Sequence, residues 1–250
     1  MHFPLTIEIF RQKIFLHLIL ELLAFFIGYR YYLMLRKKAG DKIAQSNRIW
    51  ILIGASLGAL AGSRVLGGLE NPEALMQAQN KFLYFYANKT VLGGFLGGLF
   101  GVELIKKIIG EKNSSGDLFT FPIILALIIG RIGCFSMGVY EETYGNPTNF
   151  ITGMDLGDGL LRHPAALYEI VFLCLLWVGL AKIKNRFSAG NGMLFKLFLS
   201  SYCIFRFLLD YIKPHYTWCI GLSAIQIAAL LGLIYYAVLV LGSKAFNIKR

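Results

Sequence analysis

The sequence predicts an all-α, polytopic integral membrane protein of about seven transmembrane helices, with its N-terminus outside and its C-terminus cytoplasmic. Three observations predict it. The chain is 56% hydrophobic, which supplies several apolar stretches close to the roughly 20 residues that a bilayer-crossing helix needs. Short polar connections separate most of those stretches. Lys and Arg gather in alternate connections, the asymmetry that sets orientation in a membrane.

Spans are expected at 14–35, 49–66, 90–109, 118–138, 166–182, 193–212 and 218–241, in a single domain over 1–250 with long connections at 67–89 and 139–165. The first span reads as a retained anchor, because Arg36-Lys37-Lys38 follow it with no small-residue cleavage site. The thirteen residues before it are expected along the outer interface. Within it, His17 and Glu21 lie four apart on one helix face and are expected to satisfy each other, since polar groups inside apolar segments find partners. Arg36, Lys37, Lys38, Lys42 and Arg48 follow the first span, and Lys106, Lys107 and Lys112 follow the third. Lys182, Lys184 and Arg186 follow the fifth; Lys244, Lys249 and Arg250 follow the seventh. The alternate connections are poorer in base, and 139–165 carries Glu141, Glu142, Asp155 and Asp158. Both long loops are therefore expected outside.

In spans two and three, Gly54, Gly58 and Gly62 recur every fourth residue, and so do Gly93, Gly97 and Gly101, with Gly94 and Gly98 alongside. Such series form grooves that let two helix backbones approach closely in lipid. A tight pair of this kind also leaves open a slot for acyl chains. A nucleotide-binding reading of these glycines fails because no strand precedes them. The net charge of +11 raises nucleic acid as a partner. The basic residues, however, form short runs between apolar segments, so no nucleic-acid partner is expected. Cys134, Cys174, Cys203 and Cys219 lack metal-ligand spacing and read as small buried hydrophobes. Nothing in the sequence calls for a metal or an organic cofactor.

The chemistry concentrates between Gly130 and Glu169. Arg131 ends an apolar run, and Arg162-His163-Pro164 precede another. A guanidinium in hydrocarbon costs roughly 2.5–3.5 kcal/mol at the bilayer centre. An internal carboxylate or an anion arriving from outside has to offset it. With the orientation above, Arg64, Arg131, Arg162, His163, Tyr202, Arg206 and Asp210 all fall in the outer half of the membrane, with Gly93 to Gly98 starting the inward run of span three. Arginine's planar fork suits phosphate oxygens, so these residues read as a phosphate site at headgroup depth. The alternative is that each arginine snorkels, or pairs with Glu142, Glu169 or Asp210. Taken alone, Arg64 fits that alternative and His163 fits a helix start beside Pro164. Crowding of polar groups at one face also speaks against a small-solute transporter, whose sites lie at the midplane.

The blocks Gly130-Arg131-x-Gly133-x-Phe135, Glu142-x-x-Gly145, Arg162-His163-Pro164-x-x-Leu167-Tyr168-Glu169 and Tyr202-x-x-x-Arg206-x-x-x-Asp210 resemble the prolipoprotein diacylglyceryl transferase family. The resemblance runs in order from about Arg64 to Gln226. It implies transfer of the diacylglyceryl group of phosphatidylglycerol to the lipobox cysteine of a preprolipoprotein, in the bacterial cytoplasmic (inner) membrane with the active site towards its outer face. It implies catalytic roles for Arg131, Arg206, Tyr202, His163 and Glu142. Substrate contacts would fall to Arg64, Gly97, Gly98, Gly133, Gly145, Arg162 and Asp210, with no metal. The sequence departs from the family pattern where His-Gly-Gly is usual and Leu96-Gly97-Gly98 stands. Cys134 and Met137 replace asparagines, Ala166 a glutamine, and Asp210 and Lys213 a Glu and an Arg. Loss of that histidine, a candidate thiol-activating base, leaves two further readings open. One is a family member that uses phosphatidylglycerol with a different acceptor. The other is a non-catalytic phospholipid-binding membrane protein.

Overall fold

The computed structural model describes residues 3–9, 12–41, 43–187, 191–218 and 221–242. Lys42, Cys219, Lys244, Lys249 and Arg250, which entered the charge and cysteine readings above, lie outside the described residues. Four of the described helices are long and apolar enough to cross a membrane. They are α1 (Leu16–Ala39), α2 (Gln45–Gly68), α6 (Asp117–Met137) and α7 (Ala165–Ile183). Helices α5 (Val91–Ile109), α8 (Met193–Leu209) and α9 (Ala224–Gly242) coincide with the other expected spans. Of these, α5 carries Glu103, Lys106 and Lys107 in its last turns, and α8 is only 17 residues long.

The described residues are mostly helical, as an all-α fold requires, with two short two-stranded ribbons added. Strand β1 (Thr6–Ile9) pairs antiparallel with β2 (Gln12–Phe15), placing Ile7 opposite Ile14 and Glu8 opposite Lys13. Both the alternation and the opposed charges favour a two-stranded ribbon. In the connection at 139–165, β3 (Met154–Asp155) pairs with β4 (Leu161–Arg162). The connection at 67–89 holds α3 (Pro72–Gln77) and α4 (Lys81–Ala87), begun by Asn71 and Asn80, whose side chains accept from Ala74 N at 3.0 Å and Leu83 N at 3.1 Å. Asparagine N-caps satisfy donors that a first turn leaves open.

By its contacts the chain forms two compact units. One comprises Met1–Gly40, Gly116–Phe187 and Ile212–Pro214. Here α1 packs on α6 and α6 on α7. Tyr32 stacks on Phe119 with centroids 4.4 Å apart, while Trp177 meets Tyr31 at 5.9 Å and Phe121 at 5.2 Å. Helix α6 stops at Gly138, whose φ of 60° suits glycine. Val139 N then bonds Leu156 O at 3.1 Å and draws the following connection back on itself.

The other unit comprises Asp41–Ser115, Ser188–Tyr211 and His215–Arg250. Its central pairing is α2 on α5, and α8 and α9 pack on each other. A Cβ on Gly58 would fall on the Gly97 carbonyl, and one on Gly62 would meet Gly93 O and Gly97 Cα. The two glycine series thus lie backbone to backbone, as their spacing predicts. Arg48 does not behave as a loose interfacial cation. It is 1% exposed, pairs with Asp41 and reaches Ser115 O at 3.5 Å.

Gly58→Val is expected to destabilise the folded protein by more than the ~1–3 kcal/mol of ordinary overpacking, because rigid backbone stands in the way. Gly94→Ala, with its nearest neighbours 3.7 Å away, should be nearly neutral. Thermal unfolding in detergent measures both, and equal midpoints would refute the close crossing.

Candidate functional site

In the first unit, Arg131 sits in the last third of α6 and is 7% exposed. Its Nε lies 2.8 Å from Oε1 of Glu169, which is 2% exposed one turn into α7. Of the two ways to offset a guanidinium here, an internal carboxylate is therefore present. Arg131 Nη1 also points at Cys134 Sγ, 3.6 Å away and one turn later. Glu169 closes the Arg162-to-Glu169 block. The ion pair thus ties the first motif block to the third.

The loop places its residues unevenly. Gly145 N donates to His163 O at 2.9 Å, His163 N to Asn146 O at 3.1 Å, and Asn146 N to Ile212 O at 2.7 Å. A Cβ on Gly145 would come within 2.5 Å of His163 Cβ and 2.8 Å of Ile212 O. This explains a glycine there and joins it to His163. His163 Nδ1 lies 3.0 Å from the Tyr168 hydroxyl, which also bonds Thr152. Arg162 is taken up by Asp158, through Nε at 2.7 Å and Nη2 at 2.6 Å, and its guanidinium covers the Tyr144 ring at 5.0 Å. That Arg162 hydrogen bond holds the Asp158 carboxyl below its ordinary range. Amides of Gly157 and Gly159 do the same for Asp155. The Glu142 side chain is exposed, and its carbonyl accepts from Lys213 Nζ at 3.2 Å. Glu141, its neighbour, turns inward to His17 Nδ1 at 3.3 Å and Cys134 Sγ at 3.9 Å. Gly133 lies under His17, whose Nδ1 would be 3.2 Å from an added Cβ. A small, half-open depression beside these elements is lined by Cys134, Phe135, Gly138, Tyr144, Pro164 and Ala166 among others.

In the second unit, Tyr202 and Arg206 lie one turn apart on α8 and are 0% and 5% exposed. The Tyr202 ring meets Phe95 edge-on at 5.1 Å. Arg64 sits over the Tyr86 ring at 4.9 Å, a cation–π contact. Asp210 accepts from the Ser223 hydroxyl. Ser223 and Gln226 form a reciprocal capping box at the start of α9, with Gln226 N to Ser223 Oγ and Ser223 N to Gln226 Oε1 both at 3.0 Å. Asp210 therefore steadies that helix start. The face presented by Gly97 is occupied by α2, and Gly98 lies against Ala55 and Ala59. Leu96 fills the space over Gly232, with Cδ2 3.0 Å from where a Cβ there would stand.

The structure thus brings together Arg131 with Glu169 and His163 with Gly145, while Tyr202 and Arg206 are neighbours by their spacing on α8. Sequence reasoning missed the inward turn of Glu141. It also paired His17 with Glu21 alone; that contact exists at 3.6 Å, but His17 has Glu141 on its other side. The Glu-x-x-Gly spacing drew attention to Glu142, and nothing local distinguishes the adjacent carboxylate.

Comparison with known proteins gives a match to the family described as prolipoprotein diacylglyceryl transferase over residues 4–242. A Bordetella parapertussis protein is 36% identical over 150 residues, covering 52% of this chain and 54% of that protein. One from Campylobacter hominis is 26% identical over 225 residues, covering 85% of this chain and 79% of its own. One from Nitratidesulfovibrio vulgaris is 32% identical over 149 residues, covering 52% and 54%. Each is named phosphatidylglycerol–prolipoprotein diacylglyceryl transferase. The chain spans about half the length of the Bordetella relatives that it matches, 54% and 47%.

Removing one partner of a buried ion pair typically costs ~3–5 kcal/mol, whereas apolar replacement of both is far milder. Glu169→Gln should therefore lower stability by about that amount, and Arg131→Met combined with Glu169→Leu should recover most of it. Denaturant or thermal unfolding of the variants decides; an unaffected Glu169→Gln midpoint would show that the pair carries little.

Proposed function

The chain belongs to the prolipoprotein diacylglyceryl transferase family, and from that premise we propose that it transfers the diacylglyceryl group of phosphatidylglycerol to the lipobox cysteine thiol of a preprolipoprotein. The observation that carries the proposal is the family match, which takes in every motif block from Arg64 to Gln226. In this reading the protein lies in the bacterial inner membrane with seven spans, N-terminus outside and C-terminus inside. The four long apolar helices and the alternation of basic connections support it.

The reaction replaces a C–O bond with a C–S bond. The acceptor attacks as thiolate, since the neutral thiol is a weak nucleophile. Its sulfur displaces the phosphate ester oxygen at the glyceryl carbon, and the electron pair leaves with glycerol phosphate. Fixed cations aimed at that departing charge lower the barrier, and we assign this task to Arg131 and Arg206. Glu169 holds Arg131 by Nε and fixes the plane of the guanidinium; a phosphate meeting Arg131 has to share it with this carboxylate. Tyr202, one turn before Arg206, and Arg64 are assigned to the lipid headgroup.

The thiol proton needs an acceptor, and Leu96 cannot be one. We assign the proton to His163. Imidazole suits proton transfer near neutrality, and the Tyr168 hydroxyl at Nδ1 orients the ring with Nε2 outward from that contact. Glu142 is exposed and Tyr202 fully buried, which favours His163 over either. Leu96 also motivates a second reading, in which phosphatidylglycerol is the donor but the acceptor differs.

The protein in detergent or proteoliposomes would be given phosphatidylglycerol labelled in the diacylglyceryl group, with a lipobox peptide. Label should appear on the peptide cysteine, and Arg131→Ala or Arg206→Ala should each reduce the rate by ~100-fold or more, the scale of losing one oxyanion donor. Glycerol phosphate release without a labelled peptide would point to a different acceptor. Absence of both, with phosphatidylglycerol binding still dependent on Arg206, would leave a lipid-binding protein without chemistry.

A further inference from the structure

We propose that His17, Cys134 and Glu141 form a binding site for a divalent d-block cation, zinc foremost, where α1 meets the end of α6 and the residues that follow it. The proposal does not depend on the transferase reading, because it concerns side chains to which that reading gives no role.

The geometry comes first. His17 Nδ1 and Glu141 Oε2 are 3.3 Å apart, and Cys134 Sγ is 3.9 Å from Glu141 Oε1. Ligand atoms of the three residues all lie within 4.8 Å of one another. Tetrahedral zinc, with Zn–N near 2.0 Å and Zn–S near 2.3 Å, separates neighbouring ligand atoms by about 3.3–3.7 Å. Small side-chain rotations close the difference. Nitrogen, sulfur and carboxylate oxygen are also the donor types that zinc takes.

The burial of these atoms is a second observation. His17 Nδ1 and Glu141 Oε2 are both buried atoms, and they meet each other at 3.3 Å. On the far side of the ring, Nε2 lies 3.6 Å from Glu21 Oε2. Nδ1 is thus the ring nitrogen on the Glu141 side. A ring nitrogen and a carboxylate oxygen thus converge on one buried spot beside the Cys134 thiol, where a cation can be held. A carboxylate behind a ligating histidine is the usual outer support of a zinc site, fixing its tautomer and orientation. Gly133 contributes by lacking a side chain beneath the His17 ring.

The surroundings fit the charge. A thiolate and a carboxylate balance a divalent cation, and binding releases the Cys134 proton to solvent. Arg131 Nη1, 3.6 Å from Cys134 Sγ, is a donor to the metal-bound sulfur, and Glu169 opposes its charge. Three protein ligands leave one coordination position for water or an incoming donor. The metal would clip α1 to α6.

The test uses the full-length protein, stripped with chelator and titrated with Zn²⁺ in equilibrium dialysis, and separately with Co²⁺ as an optical probe. The expected result is about one equivalent of tightly held metal, with a thiolate-to-cobalt charge-transfer band in the near ultraviolet. Cys134→Ser should abolish the band, and His17→Ala should abolish stoichiometric uptake. Glu21→Gln should weaken Zn²⁺ affinity by about 10- to 100-fold. If a variant fails to fold, the unaltered protein still decides: Zn²⁺ should protect Cys134 from alkylation, read by peptide mass spectrometry. Failure to take up zinc, uptake indifferent to both ligand substitutions, or no protection of Cys134 would overturn the site. The cluster would then be an imidazolium held between two carboxylates.

Discussion

The Arg131–Glu169 pair is the constraint on which the first unit depends. Both groups are almost fully buried on predominantly apolar helices, and neither is tolerable there as a lone charge. Once paired, they fix how α6 and α7 meet, and with them the neighbours of Arg131. Cys134 follows one turn after the arginine, and the Arg162–His163–Pro164 turn precedes Glu169 by less than two turns of helix and cap. Side chains read in sequence as a chemical motif are thus in part a packing device. In the reaction proposed above, the same guanidinium is the one assigned to the phosphate, which would share it with Glu169.

The second unit answers to a different limit, that of space. Helices α2 and α5 approach until glycine carbonyls of one face glycine backbone of the other, and no side chain fits between them. In an apolar medium, where hydrophobic burial gives little drive for helices to associate, close backbone contact and dispersion do that work. Polar anchors then fix the ends. Ser63 and Thr90 exchange hydrogen bonds, Asn47 reaches Glu111 at 3.0 Å, and Asp41 holds Arg48. The Asn47 bond lowers the Glu111 carboxyl pKa, with Asn113 assisting.

Much of this was legible in the sequence because it is local or periodic. Apolar run lengths located the long helices to within a few residues, and the two glycine series announced their crossing. The helix starts at Asn71, Asn80, Thr90 and Ser223-x-x-Gln226 follow from side chains that serve donors three residues on. The pairing of β1 with β2 was equally open to reading from alternation, beneath a dominant helical signal. The motif blocks identified the family because they preserve residue types at fixed spacing, which needs no coordinates.

What the sequence by itself determined, then, is the helical membrane character, the α2–α5 glycine contact and the family. Each is written in composition or in spacing within one segment. Only the tertiary structure decided that Glu169, among the candidate carboxylates, neutralises Arg131. It alone took up Arg162 with Asp158, put Asp210 to work at a helix cap, and turned Glu141 rather than Glu142 towards His17 and Cys134. Those outcomes depend on which side chains from distant segments arrive at the same place, and a charge carries no local mark of its eventual partner.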